Sequence, residues 1–255
     1  MTAGLRVRTL TANFRSAGVS GDLEAGHDWE TVRKPLALNL VRGIDPSIIF
    51  AQECSAAIRE DLAAALGSNW SHEPETNVSV WWNNQAHTLT DWDRYQLPSP
   101  DTVPGTDNDI RRLVLAKFDT GGTEWWGASS HFTPRDAYWQ GKQMMAACDY
   151  IRAAGAQRRV IFGGDFNAGS TTSGSPRSIA RAAGLYDLRG KGPALGRIQN
   201  VKMNSYNGWK PPVYDGWWID DVLTGEDWVP YFGRMHHTDG ASDHNWIVMS
   251  AITLS

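Results

Sequence analysis

The chain of 255 residues is poor in cysteine and contains only Cys54 and Cys148. Two cysteines do not make a disulfide framework, and a chain of this length buries enough surface to fold without one. Unpaired cysteine is among the residue types most often found inside proteins. We therefore expect two buried free thiols, the alternatives being a single bridge or a reactive Cys54.

Long apolar runs and a strong charge imbalance are also missing. No run approaches the roughly 20 residues that a membrane-spanning helix needs, and the first residues lack the charged and then apolar pattern of a signal peptide. The 24 basic and 28 acidic residues leave a net charge of -4, too small to argue for or against a polyanionic partner. We expect a soluble protein, cytoplasmic rather than secreted, that does not contact a membrane.

Three signatures of other enzyme classes are absent. No Gly-x-Ser-x-Gly precedes a helix pattern, which argues against a serine hydrolase. The Ser/Thr-rich stretch 169–174 lacks the lysine of a nucleotide-binding loop. No cysteine or further histidine completes a zinc ligand set around His236 and His237, so we interpret this pair as part of a loop.

Strand and helix patterns are intermixed along the chain. Apolar runs predict strands at Leu5–Phe14, Ser47–Ala51, Val78–Trp82, Arg111–Phe118, Glu124–Phe132, Arg159–Phe162, Ile219–Leu223 and Trp246–Leu254. Helical spacing predicts helices at Glu30–Val41, Ala56–Leu66 and Asp136–Ala154. The apolar face of the last helix is predicted to consist of Met144, Met145, Cys148 and Ile151. No linker or repeat divides these elements, so we predict one α/β domain over residues 1–255.

Polar clusters follow most of the predicted strands. They are Asn13, Gln52-Glu53, Ser130-His131, Gly164-Asp165-Phe166-Asn167 and Ser242-Asp243-His244, and Asp220 lies just inside a further strand. Each cluster alone is more often a solvated turn, but together, at the ends of rigid strands, they favour a common site. Carboxylates with amide oxygens suit Mg²⁺, Mn²⁺ or Ca²⁺, and histidines exchange protons near neutral pH. These residue types are suited to metal-assisted hydrolysis of phosphate esters.

The same clusters resemble the exonuclease/endonuclease/phosphatase superfamily, whose members are similar to deoxyribonuclease I. The matching segments are Thr11–Phe14, Ile48–Glu53, Ser129–Phe132, Gly163–Asn167, Ile219–Val222 and Ser242–His244. The resemblance covers nearly the whole chain. It implies a four-layered α/β/β/α sandwich of two mixed sheets flanked by helices, with the site at one edge of the sheets.

The resemblance also implies a metal site and a set of catalytic groups. Glu53 would be the principal ligand of Mg²⁺, or of Mn²⁺ or Ca²⁺, helped by Asn13 and Asp243. The implied catalytic residues are His131, Asp165, Asn167, Asp220 and His244.

Each of these five has an implied role. Asp165 would align or deprotonate the attacking water, and Asn167 would hold the phosphate. His244 would contact the scissile phosphate or carry a proton, oriented by Asp220. His131 would assist the leaving oxygen, and which group is the base stays open.

Two positions depart from the family pattern. A carboxylate before the histidine motif often partners that histidine, and the candidates in this chain are Glu73, Glu75 and the amide Asn77. Cys54 and Ser55 follow Glu53 where some nucleases carry an arginine, so a DNA-contacting arginine is not expected there.

Basic and aromatic residues predict a surface for a polyanion. Arg111 and Arg112 begin a strand that the family places near the site. Between positions 177 and 210 there are seven basic residues and one acid, and from this segment we select Arg177, Lys191 and Arg197 as substrate-binding candidates. The interleaved aromatics are Tyr206, Trp209, Tyr214, Trp217 and Trp218. They suit stacking on bases or packing of a loop onto the sheet.

Three functions are compatible with this sequence. The first is a nuclease that acts on DNA or RNA, which makes nucleic acid the expected partner. The second is a phosphatase or phosphodiesterase for a small or lipid-linked phosphate ester, of the inositol phosphate or sphingolipid type. The third is a non-catalytic module that binds polyanions. We expect a monomer, and no protein partner can be inferred.

Overall fold

The structure is a computed structural model that describes residues 4–73, 77–99, 110–134, 136–169, 172–188, 197–199, 203–214 and 216–253. The helices are α1 (Lys34–Ile44), α2 (Ala56–Leu66), α3 (Ala137–Ala153) and α4 (Pro176–Ala182). The strands are β1 (Arg6–Asn13), β2 (Ile48–Gln52), β3 (Trp70–His72), β4 (Ser79–Asn83), β5 (Thr88–Gln96), β6 (Arg112–Thr120), β7 (Thr123–His131), β8 (Val160–Asp165), β9 (Tyr186–Asp187), β10 (Arg197–Gln199), β11 (Asp220–Thr224), β12 (Trp228–His236) and β13 (Trp246–Thr253). A π-helical turn at Trp29–Arg33 leads into α1, and a 3₁₀ turn at Gln157–Arg159 leads into β8.

These strands form two mixed sheets. The first has seven strands in the order β10-β12-β13-β1-β2-β4-β3, and the second has six in the order β5-β6-β7-β8-β11-β9. In the first sheet β1 and β2 are parallel, and in the second β7 and β8 are parallel. The ends of these four central strands carry Asn13, Gln52, His131 and Asp165.

Three apolar layers hold the sheets and helices together. Between the two sheets, Phe50 and Met249 from one meet Phe118 and Trp125 from the other. Residues of α1 and α2 pack on the outer face of the first sheet, and residues of α3 and α4 pack on the outer face of the second. The order helix, sheet, sheet, helix confirms the predicted four-layered sandwich.

The predicted strands and helices are all found, with shifted ends, and several further elements appear. Strand β5 was missed because it is an edge strand with mostly exposed, polar residues. Strand β12 contains Pro230, where its register with β13 shifts. In α3 the prediction for Met145 was wrong: Met144, Cys148 and Ile151 are buried, but Met145 is 47% exposed. Both cysteines are buried free thiols, as expected.

The described helices include none that is both long and apolar enough to cross a membrane.

One glycine lets the two sheets approach each other directly below the polar strand ends. A Cβ on Gly163 would lie 2.5 Å from Cδ2 of Phe50 on the other sheet. A Cβ on Gly164 would lie 2.7 Å from the carbonyl oxygen of Ser130, on the neighbouring strand of the same sheet. Neither distance is tolerated by real side chains. The missing side chain of Gly163 therefore determines how close β8, which ends in Asp165, comes to the first sheet.

Glu73 is a buried carboxylic acid away from those strand ends. Its Oε2 accepts a hydrogen bond of 2.6 Å from the Val80 backbone N–H, and its Oε1 has no hydrogen-bond partner among the described residues. Burial raises the pKa of Glu73 well above its ordinary value. The folded protein therefore holds this proton more tightly than the unfolded chain does.

We predict that Glu73→Gln removes a pH dependence of stability. Because the folded pKa is raised, the stabilisation is complete below the unfolded pKa of about 4.3 and is lost as pH rises through the folded pKa. Urea denaturation from about pH 5 to about pH 8 should show the wild-type free energy of unfolding falling relative to the variant, by up to about 1.4 kcal/mol per pH unit. The exposed Glu60→Gln is the control and should follow the wild type; equal slopes in all three proteins would contradict the prediction.

Candidate active site

Asn13, the last residue of β1, bonds to groups from three other parts of the chain. Its side-chain Nδ2 donates to Glu53 Oε1 at 3.1 Å and to Asp165 Oδ2 at 3.0 Å. Its backbone oxygen accepts from Ser242 Oγ at 2.8 Å and from Trp246 Nε1 at 3.0 Å. One buried amide therefore joins the edges of both sheets and the loop before β13.

Glu53 follows β2 in a left-handed backbone conformation, with φ of 50°. For a residue other than glycine this conformation costs about 1 kcal/mol or more and persists only where neighbours impose it. Here Ser16 does so, since its backbone N–H donates to Oε2 at 3.2 Å and its hydroxyl donates to the Glu53 backbone oxygen at 3.3 Å. Burial alone would raise the pKa of Glu53, but the hydrogen bonds from Asn13 and Ser16 and the charge of His244 lower it. The side chain is therefore ionised near neutral pH.

Asp165 is the last residue of β8, and its side chain is buried among the other residues of the site. Its Oδ1 accepts from the Asn167 backbone N–H at 2.9 Å, and its Oδ2 lies 3.5 Å from His131 Nε2 and 3.8 Å from His244 Nε2. Burial, with the charge of Asp220, raises the pKa of Asp165 to about 8. A carboxyl group with a pKa near neutrality is suited to exchanging a proton with water.

Strand register places the other acid and the first histidine beside Asp165. Asp220 lies opposite Asp165 across the β8–β11 pair, and His131 lies opposite it across the β7–β8 pair. Opposite residues in a sheet point to the same face, and Asp165 faces Asn13 on β1. The second sheet therefore presents all three side chains to the first.

His244 and Asp220 form a buried ion pair. Nδ1 of His244 lies 2.8 Å from Asp220 Oδ2, and the Ser205 hydroxyl accepts the Asp220 backbone N–H at 2.9 Å. Burial would lower the pKa of His244, but the charge and hydrogen bond of Asp220, with Asp165 and Asp243, raise it to about 10. His244 is therefore a cation at neutral pH that presents Nε2 to the site.

His131 has the opposite character. Burial, followed by the charge of Arg111, lowers the pKa of His131 to about 4. At neutral pH it is a neutral imidazole. The two histidines thus differ in charge because only His244 is paired with a carboxylate through its far nitrogen.

Asn167 is held in the turn after β8 by two hydrogen bonds. Its Nδ2 donates to the Phe132 backbone oxygen at 2.8 Å, and its backbone oxygen accepts from Gln140 Nε2 at 2.8 Å. Its φ of 51° is tolerated better by asparagine than by most residues. The amide oxygen of Asn167 is left for a ligand or substrate.

Arg15 is a site residue that the sequence analysis missed. Its Nη1 lies 2.9 Å from Asp243 Oδ2, and its other donors bind Asp22. Arg33, fully buried, donates to the backbone oxygens of Phe14, Arg15 and Ser16 and so fixes this segment. The sequence feature that could have identified Arg15 is its position, two residues after Asn13 and directly after the matching segment Thr11–Phe14.

The ring of Trp209 packs over this pair of arginines. The guanidinium carbons of Arg15 and Arg33 lie 5.7 and 5.8 Å from the ring centroid, and His27 stacks on the ring at 3.9 Å. Trp218 is buried in the core between the sheets, whereas Tyr206 and Trp217 line the cleft and Tyr214 is exposed. The aromatic segment therefore has both packing and cleft-lining members.

The donors fit a hard divalent cation. Glu53 and Asp243 line the same cleft, and Oδ1 of Asp243 is buried with no hydrogen-bond partner among the described residues. An unsatisfied buried carboxylate oxygen is the kind of atom that a cation satisfies. A second grouping also exists, because ligand atoms of Asp165, Asp220 and His244 lie within 4.8 Å of one another. In that grouping the hydrogen bond between Asp220 and His244 already occupies one potential metal-ligand atom of each residue.

The basic candidates have different positions. Arg111 lines the cleft, and the Arg112 backbone oxygen accepts from the Ser130 hydroxyl at the start of β6. Lys191 lies outside the described residues, and Arg197 is described only as a backbone position of β10 paired with Phe232.

Arg177 is not exposed to a substrate, so the expectation for it was wrong. It is 3% exposed, and its guanidinium bonds to Asp221 at 2.6 Å and to the backbone oxygens of Ala168 and Trp218 at 2.9 and 2.8 Å. A buried carboxylate needs such a partner. Arg177 therefore ties α4 and the segment after Asn167 to β11.

The candidate partners of His131 lie elsewhere. Glu73 bonds to Val80, and the Asn77 backbone oxygen accepts from the Cys54 N–H. Glu75 lies outside the described residues. His237 bonds to exposed Asp239 in the loop after β12. The loop prediction was wrong for His236, which is the last residue of β12 and pairs with Trp246.

A cleft of about 1430 Å³ connects these groups. One end contains Arg15, Glu53, Arg111, His131, Asp165, Asn167, Asp243 and His244. The rest extends between α3 and the segments 172–176 and 216–217. Every predicted catalytic residue borders this cleft except the buried Asp220, which bonds to His244.

Solved structures share this architecture. An endonuclease/exonuclease/phosphatase family protein from Bacteroides thetaiotaomicron superposes with a TM-score of 0.83 and 16% identity, covering 99% of each chain. The chain has the endonuclease/exonuclease/phosphatase fold. This confirms the fold that the motif resemblance implies.

Two other structures with the endonuclease/exonuclease/phosphatase fold differ in what they are named for. A mannosyl-6-phosphatase from Bacteroides thetaiotaomicron has a TM-score of 0.81 and 16% identity, over 96% of this chain and 99% of that one. TDP2 from D. rerio, complexed with a single-strand DNA product, has a TM-score of 0.68 and 14% identity, over 97% of this chain and 99% of that one. No protein-family model and no curated protein matches the sequence.

We predict that Arg177→Met destabilises the protein by about 3–5 kcal/mol, because it leaves Asp221 as an unpaired buried charge. Adding Asp221→Leu should recover most of the loss. Exposed Arg158→Met is the control and should cost no more than about 1 kcal/mol. Guanidinium denaturation measures all four proteins, and an Arg177→Met variant as stable as the control variant would show that the pair is not structural.

Proposed function

We propose that this protein is a divalent-metal-dependent phosphodiester hydrolase, most closely suited to nucleic acid as substrate. The observation that supports it is the hydrogen-bonded set in which Asn13 joins Glu53 to Asp165, beside the His244–Asp220 pair. A metal-ligating carboxylate, a titratable carboxyl group and an imidazolium border one cleft. Together they serve cation binding, proton exchange and charge stabilisation at phosphorus.

We propose Glu53, Asn13 and Asp243 as the residues that hold Mg²⁺, with Mn²⁺ and Ca²⁺ as alternatives. When bound, the cation neutralises charge on the phosphate oxygens. The oxygen donors favour a hard cation, and Arg15 neutralises part of the charge on Asp243. Arg15 thereby limits the excess negative charge that an anionic substrate would meet.

The remaining residues act on water and phosphate. In its ionised form, Asp165 takes the proton of a water molecule at a carboxylate oxygen as the water oxygen forms its bond to phosphorus and the bond to the leaving oxygen breaks. His244, a cation, stabilises the charge on the non-bridging oxygens and can donate a proton from Nε2. Neutral His131 and the second N–H of the Asn167 side-chain amide donate hydrogen bonds to phosphoryl oxygens.

Nucleic acid is proposed as substrate for two reasons. Arg111 lines the end of the cleft that contains Glu53 and His244, and the exposed aromatic side chains of Tyr138 and Trp217 line the rest of it. Such surfaces suit a phosphate backbone and stacked bases. TDP2, which shares the fold, was solved with a single-strand DNA product. DNA and RNA, and cleavage within or at the end of a chain, are alternatives within this proposal.

A small phosphate ester is the second candidate. The cleft of about 1430 Å³ can enclose such a ligand, and a mannosyl-6-phosphatase shares the fold.

The cytoplasmic location, the single domain and the monomeric state stay predictions.

We expect the purified protein to nick plasmid or cleave single-stranded DNA or RNA with Mg²⁺ or Mn²⁺ and to stop when chelator is added. Glu53→Gln and His244→Ala should each lower turnover by at least about 100-fold, because each removes a group that acts on the reacting phosphate. Surface Glu226→Gln is the matched control and should retain wild-type turnover.

Other outcomes separate the alternatives. Phosphate release from small monoesters alone would support the second candidate. Wild-type rates in both site variants would show that the site is misassigned. Tight polyanion binding with no hydrolysis of any substrate would support the non-catalytic module.

A further inference from the structure

The cleft is larger than a phosphate group needs. The half that lies away from Glu53 and His244 is lined by a different set of residues. We call this half the α3 subsite and define it by Tyr138, Lys142 and Met145 on α3, Ile179 on α4, and Trp217. Tyr138 and Trp217 are 64% and 74% exposed. Large aromatic side chains exposed in a cleft, rather than buried, are typical of ligand-binding walls.

Three side chains of the α3 subsite project from one face of α3. Tyr138, Lys142 and Met145 are spaced by four and three residues, which places them one above the other on a helix. The neighbouring positions fix this face, because Gln140 Nε2 donates to the backbone oxygens of Thr133 and Asn167 at 3.1 and 2.8 Å. The α3 subsite is therefore connected directly to the catalytic turn.

A close contact on the same face fixes α3 against the segment before α4. A Cβ on Gly141 would lie 2.8 Å from the Gly174 backbone oxygen, so the helix touches the segment before α4 at this point. Any side chain at position 141 would force the two apart. The distance between Lys142 and the catalytic end of the cleft is therefore set by rigid elements.

The charge of the α3 subsite is positive. Lys142 is exposed, its Nζ lies 5.5 Å from the Tyr138 ring centroid, and no ion pair is recorded for it among the described residues. The described residues that line this half include no carboxylate, whereas Glu53, Asp165 and Asp243 are at the catalytic end. An anionic group is therefore the complement of Lys142, and a planar ring is the complement of Trp217 and Tyr138.

We propose that the α3 subsite binds the nucleoside unit next to the scissile phosphate, with its base against Trp217 and Tyr138 and its second phosphate at Lys142. This inference rests on the proposed function and specifies its substrate as a nucleoside that carries phosphate on both sides. The second phosphate can belong to a nucleic acid chain or to a free nucleoside bisphosphate, since both offer the same group to Lys142.

Calorimetric titration tests the α3 subsite without turnover. Adenosine 5′-monophosphate, adenosine 3′,5′-bisphosphate and a single-stranded trinucleotide are titrated with Mg²⁺ into the full chain carrying Asp165→Asn. We expect the bisphosphate to bind about 3- to 5-fold more tightly than the monophosphate, as for a partly solvated charge pair. Lys142→Gln should remove this preference, and Lys117→Gln, on a surface lysine of β6 paired with Glu124, should keep it.

Trp217→Leu tests the stacking wall. It should weaken binding of all three ligands by about 5- to 20-fold, in the range measured for loss of base stacking. A trinucleotide that binds more tightly than the bisphosphate identifies a chain as the preferred source, and equal affinity identifies the free nucleotide.

Two results would overturn the α3 subsite: equal affinity for mono- and bisphosphate, or a preference that survives Lys142→Gln. Failure of the proposed function looks different, because hydrolysis is measured separately. A Lys142-dependent preference in a protein that hydrolyses no phosphate ester would contradict the proposed function and leave the subsite supported.

Discussion

The two hydrogen bonds from the Asn13 amide are the interaction on which the rest of the site depends. Asn13 ends a central strand of one sheet, Asp165 ends a central strand of the other, and Glu53 follows the strand beside Asn13. Like-charged carboxylates in a buried space repel each other. A neutral amide that donates to both carboxylates holds them at one point without adding charge. The Asn13 side chain thus links the edges of the two sheets. It can bond to both carboxylates only because β1 and β8 end at the same level.

Burial and neighbouring charges give the ionisable groups of the site different protonation states. Glu53 stays ionised because several donors reach it, whereas Asp165 has a pKa of about 8 because burial and Asp220 outweigh its two donors. His244 is charged because Asp220 raises its pKa, and His131 is neutral because burial, with the charge of Arg111, lowers its pKa. Pairs of similar groups whose environments separate their pKa values can divide acid and base roles between them. Burying these groups is costly, and the backbone N–H groups of Ser16 and Asn167, which donate to Glu53 and Asp165, offset part of that cost.

Much of this could be predicted from the sequence, because the decisive residues lie at strand ends. Apolar runs predicted the central strands, and the polar clusters after them include most of the side chains that line one end of the cleft. Sequence did not reveal Arg15 or the α3 subsite, because Arg15 acts through a left-handed turn, with φ of 52°, and Met145 looks like a core residue until the helix is docked. Arg177 was misassigned because a basic residue in a basic segment gives no sign that Asp221 is buried opposite it. Polar edge strands such as β5 carry no apolar pattern to find.

The position of the cation tests the account most directly. Glu53, Asn13 and Asp243 are proposed to hold the cation, and Asp165, which accepts a hydrogen bond from Asn13, is proposed to exchange a proton with water. Crystals soaked with Mn²⁺ would locate the cation by anomalous scattering. The account predicts a peak in contact with the carboxylates of Glu53 and Asp243, with the Asp220–His244 hydrogen bond intact. A peak bound instead among Asp165, Asp220 and His244, with that hydrogen bond broken, would contradict it.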